Sequence, residues 1–162
     1  MADAGIFKAD DRVELIEGEI VEMSPIGSLH SECVEELNTL LRAALRDKPF
    51  KVRSQNPVHL GEHTEPQPDL AVVRAQSYRT DHPTVADIAL LIEVADASLM
   101  YDRRTKTPLY LRFGVPEVWL VDLINHTIEV HTPAGVQRFR AGESVVSSVL
   151  PELQIAVDEL PI

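Results

Sequence analysis

IALLIEVA, residues 88–95, is the stretch on which the fold turns. It is a short, nearly continuous apolar run, and such a run reads as a β-strand covered on both faces. DLAVV (69–73) follows the same pattern, so two buried strands lie within one short span of chain. Downstream, residues 99–113 read as helix, VPEVWLVDL (115–123) as a strand, Asn125-His126 as a turn and TIEVHT (127–132) as the next strand. QRFRA makes a further strand, and the LPELQIAVDEL tail is expected to pack on the sheet edge.

Upstream, RVELIEGEIVEM (12–23) alternates on both sides of Glu17-Gly18, the pattern of a tight β-hairpin. SLHSECVEELNTLLRAALRD follows, with Leu29, Cys33, Leu37, Leu41 and Ala44 at helical spacing and Ser28 as the N-cap. That helix should end near Lys48-Pro49. FKVRSQNPVHL (50–60) reads as a strand in which Pro57 marks an edge or a bend. The expected fold class is therefore α/β (α+β): a mixed central sheet flanked by helices, in a single domain over residues 1–162.

The chain is 44% hydrophobic, enough for one sizeable core, and carries a formal net charge of −11. That charge opposes indiscriminate binding to polyanions. Bound divalent metal and the local basic cluster Arg103, Arg104 and Lys106 in DRRTK would offset it. The N-terminus MADAGIFKADDR lacks a secretory pattern, and no run approaches the roughly 18 apolar residues of a membrane span, so the expected location is cytoplasmic with no membrane association. The one cysteine, Cys33, excludes an intrachain disulfide and falls on an apolar helix face, as a buried inert thiol would.

Chemistry concentrates on two acids. Asp69 opens one buried strand, and Glu93 lies inside the other, where an unpaired carboxylate costs several kcal/mol. Its partner is an arginine, a shared proton or a metal ion. If the two strands are neighbours, both carboxylates converge on one hard cation, Mg²⁺ or Mn²⁺, which suits phosphodiester hydrolysis. Lys106, on the following helix, is the candidate ammonium.

Pro68-Asp69, the strand LLIEVAD, then Ser98, Asp102, Lys106 and Tyr110, and then GVPEVWLVD jointly resemble the Uma-type family of restriction endonucleases, within the PD-(D/E)XK nuclease superfamily. ELIEGEIVEMSP and SLH fit as well, so the resemblance spans roughly residues 12–155. It implies a restriction-endonuclease-like fold and a Mg²⁺-dependent endonuclease acting on DNA. Asp69 and Glu93 are then metal ligands and Lys106 the catalytic lysine, while Glu19 and His30 match further family positions lining the same pocket. The superfamily lysine normally sits two residues after the acid, where this chain has Ala95; in the Uma-type pattern it has moved to the next helix. A homodimer is expected, since double-strand cleavage uses two sites.

Each assignment has a structural counterpart. Asp69 could serve only as a strand-entry residue, Glu93 as an ion-pair partner, Lys106 as a solvated lysine and His30 as a polar rim residue. Glu14, Glu17, Glu19 and Glu22 could form one solvated hairpin face. Pro108 disfavours a helix interior and is comfortable at a first helical position, so the helix would start at Thr107 with Lys106 just outside it. His59 and His63 lack a third zinc ligand, and Trp119 reads as core or subunit contact. The competing functions are a nuclease-like binding module with little catalysis and a metal-dependent hydrolase of a small phosphorylated substrate.

Overall fold

The computed structural model describes residues 11–162. Residues 1–10, which include most of the stretch on which the expected absence of a secretory signal rests, lie outside the described residues. The chain opens with a hairpin, β1 (Val13–Ile16) and β2 (Glu19–Glu22), paired antiparallel. Glu17 and Gly18 both take positive φ (49° and 86°), the two-residue turn whose twist matches its strands.

Helix α1 (Ser28–Ala44) buries Cys33, Val34, Leu37 and Leu41. Gly27, not Ser28, is its N-cap and supplies no side-chain bond; Ser28 is already helical. Leu29 is exposed, while its neighbour His30 lines a cleft.

A six-stranded sheet follows in the order β3 (Phe50–Ser54), β4 (Leu70–Arg74), β5 (Ile88–Ala95), β6 (Val118–Asp122), β7 (Thr127–Thr132) and β8 (Gly135–Phe139). Every neighbouring pair is antiparallel except β5 and β6, which run parallel. A parallel pair needs a long crossover, and a helix between β5 and β6 provides it. Strand β3 stops at Ser54, short of the expected residue 60, where Gln55 turns to φ 50°.

Helix α2 (99–112) is continuous: α-helical over Leu99–Tyr101, π-helical over Asp102–Lys106 and α-helical again over Thr107–Arg112. Pro108 explains the π-turn. A proline clashes with the carbonyl four residues back and donates no hydrogen bond, and a locally wider turn accommodates both defects. The helix therefore does not begin at Thr107; Lys106 lies inside it with right-handed helical backbone.

The two sheet faces differ. One packs under α1 and the C-terminal tail, where Leu37, Leu41, Leu153, Ile155 and Leu160 meet Ile92, Trp119, Val121 and Ile128. Here the tail departs from expectation. It forms β10 (Gln154–Ala156), which pairs with β9 (Ser144–Val146) in a separate small sheet and covers a face, not the edge, because its alternate residues are apolar. Buried Glu117 anchors the connection between them, accepting bonds from Trp119 Nε1 (2.6 Å), Ser148 N–H (2.8 Å) and the Ser148 hydroxyl. The other face lies under α2 and beside the hairpin, and it carries Asp69, Glu93, Asp122 and Glu129.

Candidate functional site

Strand register brings the two acids together. Leu70 stands opposite Ile92 in the β4–β5 ladder, and the same register continued by one residue sets Asp69 opposite Glu93 on one face. Asp69 is held from two sides: its Oδ2 lies 3.2 Å from His30 Nε2 and accepts the Val94 N–H at 2.8 Å. Glu93 Oε1 accepts the Tyr110 hydroxyl at 2.5 Å and lies 2.7 Å from Lys106 Nζ. The bonds of Asp69 thus fall on Oδ2 and those of Glu93 on Oε1; Oδ1 and Oε2 take no part in them. Among the described residues, no guanidinium bonds or pairs with either acid.

The π-turn sets the position of Lys106. Its ammonium is buried, 2.8 Å from Glu14 Oε1 and 2.7 Å from Glu93, so it is not a solvated surface lysine. Glu14 also accepts the Gln67 N–H at 2.8 Å, which ties the hairpin to the loop preceding Asp69. One turn earlier in α2, Asp102 Oδ2 accepts the Ser98 hydroxyl at 2.6 Å. Apart from Tyr110 and Gln67, these groups line a cleft of ≈ 280 Å³ together with Arg12, Glu22, Asp96 and Tyr101.

Burial pushes the Glu93 carboxyl well above the usual carboxylate range; Lys106 opposes this, while Asp69, Asp102 and Glu14 reinforce it. Burial acts to lower the Lys106 pKa, but Glu93, Tyr110, Glu14 and Asp102 outweigh it and hold the ammonium well above the ordinary lysine value. Asp102 is raised to about 6 by burial, against Lys106 and Ser98. His30 is raised, chiefly by its bond to Asp69. Four acids around one lysine leave an excess of negative charge, the condition in which a cation is favoured. Among the described residues, no group of three or more His, Cys, Asp or Glu is arranged to enclose an ion.

Of the residues singled out from the sequence, Asp69, Glu93, Lys106 and His30 meet in the cleft, and Glu19 does not. Glu19 pairs with Ile16 at the turn end of the hairpin, is exposed, and lies outside the cleft lining. Glu14, two register positions deeper opposite Val21, occupies the site instead. The four hairpin acids accordingly do not share a solvated face. The alternation held a signal for this, since Glu14 shares its strand side with buried Ile16.

The basic cluster of DRRTK also separates. Lys106 enters the cleft, Arg104 is exposed, and Arg103 reaches Asp122 (2.8 Å) and Glu129 (2.7 Å) across the sheet. His59 bonds Glu65 at 2.9 Å, Trp119 is core, and burial pushes the Cys33 thiol up to about 12. Among the described residues, no helix is long and apolar enough to cross a membrane.

The fold matches a solved structure from Anabaena variabilis, described as a "putative nuclease belonging to DUF820", with a TM-score of 0.78 and 18% identity over 97% of this chain and 93% of that one. No curated protein matches the chain significantly. The family model Uma2, described as "Putative restriction endonuclease", matches residues 3–158, and with nearly the whole chain inside that match the protein belongs to the Uma2 family.

Proposed function

We propose that the protein is a Mg²⁺- or Mn²⁺-dependent endonuclease that hydrolyses DNA phosphodiester bonds in the Asp69–Glu93 cleft. The observation that carries the reading is the pairing of these acids in register, with the Lys106 ammonium 2.7 Å from Glu93. Two hard carboxylate donors fit a small divalent ion that keeps water and substrate phosphate as its remaining ligands. When bound, such an ion supplies Lewis-acid polarisation of the phosphoryl oxygen and acidifies a water.

The chain's own residues have separable tasks. His30 and the Val94 N–H fix Asp69 through Oδ2, and the Tyr110 hydroxyl fixes Glu93 through Oε1. Lys106 stays protonated and offsets negative charge that develops on the phosphate, or orients the attacking water. Glu14 holds that ammonium at the cleft wall.

Supercoiled plasmid with Mg²⁺ or Mn²⁺ tests the reading: wild type should nick it, and Asp69→Ala and Glu93→Ala should lose at least about a hundredfold in rate, roughly 2.7 kcal/mol of barrier. Absence of any divalent-metal binding to the wild type would sink the proposal. The second reading, a binding module with little catalysis, draws on the commitment of Lys106 to two carboxylates and on the net charge of −11. Tight DNA binding by calorimetry, with wild type and variants equally inactive, would favour it.

A further inference from the structure

The charged sheet face holds a second built pocket, beyond α2 and away from the cleft. The register runs from Glu93 to Leu120, Glu129 and Arg138, which therefore share one side of four successive strands. Three strand spacings set Arg138 about 14 Å from Glu93, roughly four base-pair rises along a duplex. Arg103, Asp122, Asn125, Thr127, Arg138 and Arg140 line a cavity of ≈ 420 Å³ there.

The hydrogen bonds in this pocket are one-sided. Asp122 Oδ1 accepts from the N–H groups of Ile124 and Asn125, and Oδ2 accepts from Arg103 and the Asn125 side chain. Glu129 Oε1 accepts from Arg103 and Arg138, and Oε2 from Arg103 and His131. Both acids are thus saturated as acceptors, whereas donors remain. The Arg140 guanidinium makes no hydrogen bond or ion pair among the described residues. Thr127 Oγ1 is buried with no partner. A wall whose carboxylates are already occupied and whose Arg140 guanidinium is left to donate suits a ligand rich in acceptors, and guanidinium groups match phosphate oxygens in particular.

We propose that Arg138, Arg140 and Thr127, braced by Arg103, form a phosphate-binding subsite that holds the backbone of the nucleic acid whose other end lies in the cleft. The identity of that substrate rests on the nuclease reading; the affinity of the pocket for phosphate does not. The acids orient the guanidinium groups: Glu129 holds Arg103 and Arg138, and Asp122 also holds Arg103. The cavity lining carries three arginines and one carboxylate, Asp122; Glu129 pairs with Arg103 and Arg138, and Glu143 accepts the Arg140 backbone N–H.

The test compares Arg140→Gln, Thr127→Val and the control Arg46→Gln, an exposed arginine just past the end of α1 and outside this pocket. Binding of a short fluorescent duplex, with Ca²⁺ replacing Mg²⁺ to prevent cleavage, is followed against salt. R140Q should bind roughly tenfold more weakly for unrelated sequences and lower the slope of log K on log salt by about 0.9. T127V should weaken binding with its slope unchanged, and R46Q should match wild type. Equal losses in R140Q and R46Q, or none in R140Q, overturn the inference. If the wild type binds no duplex, the nuclease reading has failed on its own, and NMR titration with inorganic phosphate decides the pocket. Shifts at the Arg138 and Arg140 side chains that vanish in R140Q then support it with free phosphate as ligand, and their absence overturns it.

Discussion

The two faces of the central sheet are made by alternate residues of the same strands, and they answer different demands. Under α1 and the tail, Leu70, Leu90, Ile92, Trp119, Val121 and Ile128 form an apolar layer whose fully buried side chains each contribute roughly 1.5–3 kcal/mol. On the other side the same ladders carry Asp69, Glu93, Asp122, Glu129 and Arg138 beside small apolar patches. The first face stabilises the sheet, and the second holds desolvated charges that cost stability unless each is paired. The difference shows that the apolar layer makes the charged one possible: α1 and the tail hold the strands in the register that sets Asp69 opposite Glu93.

Lys106→Met breaks the contrast most severely. Removing the cation between Glu14 and Glu93 leaves two buried carboxylates, and urea unfolding should record a loss of about 3–5 kcal/mol together with loss of plasmid nicking. Unchanged nicking by a folded variant would remove this lysine from the site.

Leu37→Ala probes the opposite face. It should lower stability by about 2–5 kcal/mol while leaving the nicking rate intact well below the melting temperature. A rate that fell with stability would show that the faces are not separable.

Tyr110→Phe removes one buried donor from Glu93 Oε1, and denaturation should show a cost of about 1–3 kcal/mol.

An effect of similar size depends on pH. Asp102, raised from 3.8 to about 6 by burial, contributes stability that is fully present below pH 3.8 and lost as pH rises through about 6. Asp102→Asn should therefore exceed wild type by on the order of 1–3 kcal/mol at pH 7.5, with the difference fading below pH 4 in urea melts. For Asp122 and Glu129 the sign is reversed. Burial would raise them, but the bonds from Asn125 and Arg103, and from Arg103, His131 and Arg138, hold them below the ordinary values. Their contribution is present above the unfolded pKa and is lost as pH falls through the folded one.

Much of this was legible in local pattern. Continuous apolar runs marked β4 and β5 as strands covered on both faces, alternation around Glu17-Gly18 marked the hairpin, and an acid inside IALLIEVA demanded a partner. The partners themselves were harder to read. Glu14 lies 92 residues from Lys106 in sequence and meets it only because the hairpin folds against α2. Arg103 and Lys106 are three residues apart yet serve different clusters, because the π-turn over Asp102–Lys106 changes the angle between them.

The sequence by itself determined most of the strands and helices, though not β9 or the end of β3, and that Asp69 and Glu93 are acids set in apolar surroundings, because hydrophobic period and desolvation cost are local properties of the chain. Only the tertiary structure decided that Glu14 and not Glu19 joins Lys106, that the tail covers a face, and that the arginines gather beyond α2. Those outcomes depend on strand register and helix phase, which long-range packing fixes.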